Sequence, residues 1–420
     1  MSITTPATVG RTPTRVGPIF IAVYAFAMFG IWMAINLPAS VTLALRISEI
    51  DPAGKTTSYS IAAGVGTLTA VLANPFFGRL SDRTRSRFGR RRPWIVVGLV
   101  GTSLGAAVIA FSNTFPMLLL GWVLMQAFVN AAIAATLAIV ADRVPDSQQG
   151  LVGSLSGAAA SASMVIGVFF IQAFPTSILA QIGLPVAMAL VFASALLVLF
   201  KDDAPAAEPL PPFSVRQFFG SFFVNPRQER DFSWLILALF LLSCGFGVVA
   251  TYTVYLLQDQ IGVPEADLAN AITTAYVIPG LVAFVIGPIA GWVGDRLGRR
   301  KPLLLMSALS GVAGMVVIAT SASVGQFLIG VTLVTGVSAG IMMGTYIAFG
   351  IATMRDKLAS ARNLGVVNIA LTLPFSVVPF ITPALLAVGG GTANYVALVL
   401  FGAVLTLLGA LPLLGIRSTR

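Results

Sequence analysis

Asp82 stands four residues after Gly78, is followed by Arg83, and opens a basic stretch that ends in Gly89-Arg90-Arg91-Arg92-Pro93. The same order returns as Gly291, Asp295, Arg296 and then Gly298-Arg299-Arg300-Lys301-Pro302. Gly and Asp four apart lie on one helix face. The glycine admits a second helix closely, and the carboxylate suits the positive N-terminus of a neighbouring helix. That is the chemistry of a docking contact that forms and breaks. A single basic loop would carry no such meaning, but an ordered motif repeated twice does. A weaker echo runs from Asp142-Arg143 to Gly150 and from Arg355-Asp356 to Gly365.

A second set of residues is polar but uncharged. Tyr24, Met28, Trp32 and Asn36 recur at steps of four, one stripe on one helix face. Gln126 and Asn130 repeat that step, and Thr251, Tyr252, Tyr255 and Gln258 form a third group. Thr345, Tyr346 and Phe349 form a fourth, with Asn368 and Thr372 behind them. Rings offer a face to apolar C–H surface and amides bond hydroxyls, so the mixture suits a neutral, hydroxyl-rich solute. Each polar side chain has a competing reading as glue between helices. Asn74-Pro75 reads as structural, and Gln172 and Gln181 as solvated near one surface.

Other chemistry is excluded. The chain has no His and one Cys, Cys244. A Ser–His or Cys–His nucleophile, a His-ligated metal and a disulfide framework are therefore out. No cofactor, metal or catalytic residue is expected, and the chain does not read as an enzyme.

The elements that position these residues follow from where charge is missing. Of 420 residues, 57% are hydrophobic and 10% charged, far from the roughly one-quarter charge of a soluble domain. A helix crosses a bilayer with about 20 apolar residues. Twelve such stretches are expected: 18–45, 57–81, 93–111, 115–141, 150–174, 178–200, 232–258, 266–293, 302–320, 324–353, 363–387 and 393–415. No Asp, Glu, Lys or Arg falls in the middle of one. With the N-terminus in the cytoplasm, the opposite side holds only Arg46 and Lys55 as cations, beside Glu49, Asp51, Asp259, Glu265 and Asp267. This is the positive-inside pattern, with both termini cytoplasmic. The net charge of +10 then reports topology and contact with anionic lipid, not nucleic acid.

The expected fold is all-α: two pseudo-symmetric six-helix bundles. Residues 1–17 read as a cytoplasmic arm, 18–200 as the first bundle, 201–231 as a cytoplasmic linker, 232–415 as the second bundle and 416–420 as a tail. The linker begins acidic and Pro-rich, and from Ser214 to Asp231 suits a surface amphipathic helix.

With its repeated loop and six-plus-six spans, the whole chain resembles the major facilitator superfamily. The longer first copy, Asp82 through Trp94, is similar to the loop of the glycoside–pentoside–hexuronide:cation symporters and the plant sucrose–proton symporters. That resemblance implies a cavity lined by spans 1, 4, 7 and 10. Tyr24, Trp32, Asn36, Gln126, Asn130, Tyr252, Tyr255, Tyr346 and Asn368 are then the solute-binding candidates. It also implies that, when the inside is closed, Gly78 and Asp82 dock on the cytoplasmic start of span 11, and Gly291 and Asp295 on the start of span 5. Arg83, Gly89, Arg90 and Arg143 would complete one gate, and Arg296, Gly298, Arg299 and Arg355 the other.

The implied function is secondary transport of a small neutral solute, a sugar or glycoside, by a monomer in the cell membrane. The chain departs from these relatives in one respect. Their acids on spans 1 and 4 are missing, with Gln126 and Asn130 in the matching stretch of span 4, so coupling to a cation stays open. Asp142 is the acid to test. Efflux of lipophilic compounds is one alternative, and a non-transporting sensor or assembly factor on the same fold is another.

Overall fold

A computed structural model describes residues 15–199, 229–353, 360–390 and 393–416. Twelve helices in it are long and apolar enough to span a membrane: α1 Pro18–Ile50, α2 Lys55–Arg83, α3 Arg92–Ala110, α4 Phe115–Arg143, α5 Ser147–Ala173 and α6 Ile178–Leu199, then α7 Arg230–Gln260, α8 Glu265–Leu297, α9 Lys301–Ala319, α10 Val324–Thr353, α11 Gly365–Leu386 and α12 Tyr395–Gly415. No strand occurs among the described residues. Hydrocarbon offers backbone groups no hydrogen bonds, so a spanning segment must satisfy its own. The 201–228 part of the linker, Arg355 and Asp356 lie outside the described residues, as do most of the arm and tail.

Several helices overrun the apolar stretches that foreshadow them. α1 continues five residues past Leu45 to Ile50, carrying Arg46 and Glu49 into its last turns. α2 reaches Arg83 and α8 reaches Leu297. Apolarity marks only the part inside lipid, and helical hydrogen bonding persists into the polar turns beyond it. α11 is interrupted at Leu373, where Pro374 restarts it; proline removes a helical donor.

Helices α1–α6 pack mainly on one another, as do α7–α12. Small residues make the contacts. A Cβ on Gly98 or Gly105 of α3 would lie 2.6 Å from the backbone nitrogen of Ala132 or Met125 in α4. Gly314 of α9 meets the Gly330 carbonyl of α10 at the same 2.6 Å. Likewise a Cβ on Gly30 of α1 would lie 2.8 Å from the Ala189 backbone of α6, and one on Gly245 of α7 would lie 2.8 Å from the Gly402 carbonyl of α12. Lipid tails are as apolar as leucine, so this close backbone approach supplies van der Waals contact that burial alone does not.

Among the described residues three helices contain a π turn: Pro38–Thr42 in α1, Leu256–Gln260 in α7 and Thr332–Ser338 in α10. Such turns insert one residue per turn and concentrate at functional sites. They fall on three of the four helices expected to line the cavity.

Candidate functional site

Call the end of the bundle with the repeated loop the signature end, and the end with Lys55 and Asp259 the far end. At the signature end both copies are built alike. Gly89 and Gly298 have φ of 95° and 62°, a left-handed backbone that only glycine adopts at little cost. Each turns the chain so that the second residue after it caps the next helix: Arg91 before α3 and Arg300 before α9.

Arg91 is 4% exposed. It reaches Asp82 at 2.7 Å, Asp142 at 2.8 Å and the Ser81 hydroxyl at 2.8 Å. Burial works against its charge, but Asp142 and then Asp82 outweigh that and raise the guanidinium pKa. Arg300 pairs with Asp295. The next residue of each copy caps a helix C-terminus, where a cation is favoured. Arg92 donates to the Leu197 carbonyl of α6. Lys301 donates to the Leu414 and Ile416 carbonyls at the end of α12, at 3.1 and 3.3 Å.

The sequence reading named Gly89, Arg90, Gly298 and Arg299 but passed over Arg91 and Arg300. The available signal was their fixed place between a repeated glycine and a repeated proline. Arg90 bonds Asp142 at 2.7 Å. Asp142, singled out for coupling, is thus held by two arginines. Arg143 and Arg83 end α4 and α2, and Arg296 lies over the Trp292 ring at 5.3 Å. A Cβ on Gly78 would lie 3.9 Å from Ala134 of its own half, whereas one on Gly291 would lie 3.1 Å from the Gly344 carbonyl of α10.

Between the halves lies a cavity of about 660 Å³, walled by α1, α5, α7, α8, α10 and α11. Its polar lining includes Asn36, Ser40, Thr253, Tyr276 and Thr335; Phe246, Phe375, Met164 and Met343 add rings and thioethers, and none of the described lining residues is charged. Most of the lining donors are already used. Asn36 Nδ2 donates to the Ala160 carbonyl and Ser163 hydroxyl, and Tyr276 to the Ser40 carbonyl. Thr253 and Thr335 donate back along their own helices. A hydroxyl that has donated keeps two lone pairs. The wall therefore offers acceptors among apolar surface, which fits a neutral solute bearing O–H donors.

Of the sequence candidates, only Asn36 lines this cavity. Trp32 is half-buried beside the main core, and Tyr24 is fully buried and stacked on Phe20. Gln126 and Asn130 are buried in α4, where the Asn130 amide donates to the Gln126 carbonyl at 2.9 Å and Asn74 of α2 donates to Asn130 at 3.4 Å. Tyr346 packs against the second core cluster, which contains Phe232 and Leu235, and Asn368 is exposed on α11. Gln181 corrects the expectation of a solvated side chain. It is fully buried, donating to the Phe174 and Pro175 carbonyls at 2.9 and 3.1 Å, and so ties down the turn between α5 and α6.

Tyr252 and Tyr255 are fully buried at the far end, where the halves meet. Tyr59 stands edge-on to both, with centroids 5.8 and 5.3 Å away. Hydroxyls cross the seam: Tyr59 to the Thr251 carbonyl at 3.0 Å, Tyr255 to Ala44 at 3.1 Å, and Ser60 with Tyr252 at 2.6 Å. α5 meets α8 there too, through Thr273 and the Val168 carbonyl at 3.3 Å. Toward the signature end, Gly150, Gly153 and Gly157 of α5 face open space. The cavity is thus sealed at the far end.

The chain resembles known transporters over parts of its length. It is 30% identical over 118 residues to a general alpha-glucoside permease of Schizosaccharomyces pombe, a match covering 24% of the chain and 21% of the permease. It is 32% identical over 123 residues to the class B tetracycline resistance protein of Escherichia coli, covering 28% and 29% of the two. These matches span less than a third of either relative. The fold is shared with a mutant of the nucleoside transporter NupG, at a TM-score of 0.71 and 12% identity over 95% of this chain and 99% of that one. The Major Facilitator Superfamily model matches residues 19–379. With the paired signature loops and twelve helices, that match places the chain in the Major Facilitator Superfamily.

Proposed function

We propose that this superfamily transporter carries a small neutral, hydroxyl-bearing solute, a sugar or glycoside, by alternating access. One observation carries the reading: the described lining of the cavity between the halves is uncharged and presents hydroxyl acceptors among rings. Its volume lies within the roughly 300–1,000 Å³ usual for small-molecule sites. An organic anion would find no cation there to replace its water. The similarity to an alpha-glucoside permease agrees with this class.

In this reading residues 18–200 and 232–415 are the two moving bundles, and the signature end with both termini faces the cytoplasm of the cell membrane. The crowding of Lys and Arg at that end supports this orientation and a contact with anionic lipid. Asp82 and Asp295, with the arginines around them, gate the cytoplasmic side. Asp142 remains the acid to test for cation coupling.

A second reading, efflux of lipophilic compounds, is favoured by the exposed Ile166, Leu281 and Phe284 at the rim of the cavity. Uptake into proteoliposomes across a panel of sugars and glycosides, with and without proton and sodium gradients, tests the first. Saturable uptake of a panel member is the expected result. No sugar uptake, with movement of a lipophilic dye or drug, would overturn the first reading and favour the second.

A further inference from the structure

At the far end one carboxylate, with both oxygens engaged, reaches across the halves. Asp259 of α7 accepts from Lys55 of α2 at 2.6 Å through Oδ1, and from Tyr395 of α12 at 2.7 Å through Oδ2. The Tyr395 hydroxyl also lies 3.3 Å from the Thr56 hydroxyl of α2. Lys55 belongs to the first six helices, whereas Asp259 and Tyr395 belong to the last six. The other cation at this end, Arg46, stays within the first half, bonded to Glu49 and to the Ser112 carbonyl. Asp51 is likewise held at home by Gly54 and Ser58.

We propose that Lys55, Asp259 and Tyr395 are the latch that holds the far end closed, and that its strength sets the resting balance between the two faces of the transport cycle. The latch is fitted to the seam beneath it. The Lys55 ammonium lies 5.3 Å over the Tyr255 ring, and the Tyr255 hydroxyl reaches the Lys55 carbonyl at 3.3 Å. All but Tyr24 and Tyr346 of the chain's 7 tyrosines take part in this closure.

Two π turns place the partners. The turn at Pro38–Thr42 contains Ala39 and Ser40, whose carbonyls accept from Tyr59 and Tyr276 at 3.0 and 3.2 Å. The turn at Leu256–Gln260 contains Asp259 itself. A π turn shifts the i→i−4 register, so a carbonyl can be spared for a partner outside the helix. Ser40 also lines the cavity, so solute and seam share a turn of α1.

Bonds that cross between the halves must break when the far end opens, so losing them shifts the population toward the open state. The side chains of Lys55 and Asp259 are 23% and 29% exposed. They are dry enough for a charge-assisted bond to exceed a surface pair, and wet enough for either partner to be resolvated alone.

The proposal rests on the transporter reading for its meaning, but its test needs no solute. Spin labels at Gln172 and Asn270, on opposite halves at the rim of the far end, report opening as a longer distance. Wild type should populate mostly the short distance. Asp259→Asn and Lys55→Gln should each raise the ratio of long to short about five- to tenfold, and Tyr395→Phe should raise it less. The exchanged pair, Lys55→Asp with Asp259→Lys, should restore the short distance. Size-exclusion profiles and thermal unfolding identify any variant that fails to fold, and the exchanged pair then decides. Single variants with the wild-type distribution, or an exchanged pair as open as the singles, would overturn the latch. A failed solute panel would leave these distances unchanged, so the two proposals fail separately.

Discussion

Replacing Arg91 with Gln should destabilise the protein, while the same change at Arg300 should be almost silent, although the two occupy matching places in the repeat. Bonds to charged groups contribute about 1.5–3 kcal/mol each, and breaking a buried ion pair costs about 3–5 kcal/mol when the abandoned charge stays buried. Here the abandoned charges do not. Asp82 is 45% exposed and can rehydrate, and Asp142 keeps Arg90 at 2.7 Å. The loss at Arg91 therefore falls to about 2–3 kcal/mol. Arg300 is more exposed, at 23%, and its partner Asp295 is 69% exposed, so that loss is under about 1 kcal/mol. Arg91→Lys keeps the charge but not the forked geometry that serves two carboxylates, and should fall between. Thermal unfolding in detergent, followed through fluorescence, ranks the variants: Arg91→Gln lowest, Arg91→Lys next, Arg300→Gln near wild type. Equal losses at positions 91 and 300, or none at 91, would refute the argument that burial separates the copies.

Asp82→Asn should leave the protein folded and inserted yet impair transport, with greater access of membrane-impermeant reagents to the cavity from the signature end; wild-type uptake and access would refute the gating role. Gly344→Ala should lose about 1–3 kcal/mol, because its Cβ would stand 2.1 Å from the Gly287 carbonyl of α8, whereas Gly350→Ala, whose nearest neighbour is a Leu235 methyl at 4.0 Å, should unfold at the wild-type temperature. Asn36→Ala should raise KM about tenfold, the loss of roughly one charge-free hydrogen bond plus its positioning. Asn130→Ala should also weaken solute binding without loss of insertion, to a smaller degree and only through the packing of α4, since Asn130 is buried away from the cavity and bonds within the first half; unchanged KM in Asn36→Ala would remove Asn36 from the binding site.

The spans were readable because a bilayer imposes one demand, about 20 apolar residues, that charge placement reveals without any knowledge of packing. Hydrogen-bond register leaves no such mark. Pro38 and the Leu256–Gln260 stretch do not announce π turns, because no residue type marks the one extra residue and an all-apolar helix hides the rotation of about 100° that it imposes on later side chains. Tyr252 and Tyr255 show the same limit. A stripe of neutral polar residues on an inner helix suits a solute wall or a seam between halves equally well, and only the position of Tyr59 and the Ala44 carbonyl distinguishes them. Arg91 was hidden among three arginines whose order only the positive φ at Gly89 resolves. Gln181 was misread because nearness to a surface says nothing of what covers a side chain.

The caps made by Arg92 and Lys301 bear on how the chain is made. Arg92 begins α3 but finds its acceptor in Leu197, 105 residues later, and Lys301 finds Leu414 after 113 more. Each clasp joins the third helix of a half to its sixth. During synthesis the first clasp waits until α6 has emerged, and the second until the end of α12. Assembly of the nascent chain is thereby divided into two instalments, each finished by its last helix, in keeping with units that fold in turn from the N-terminus.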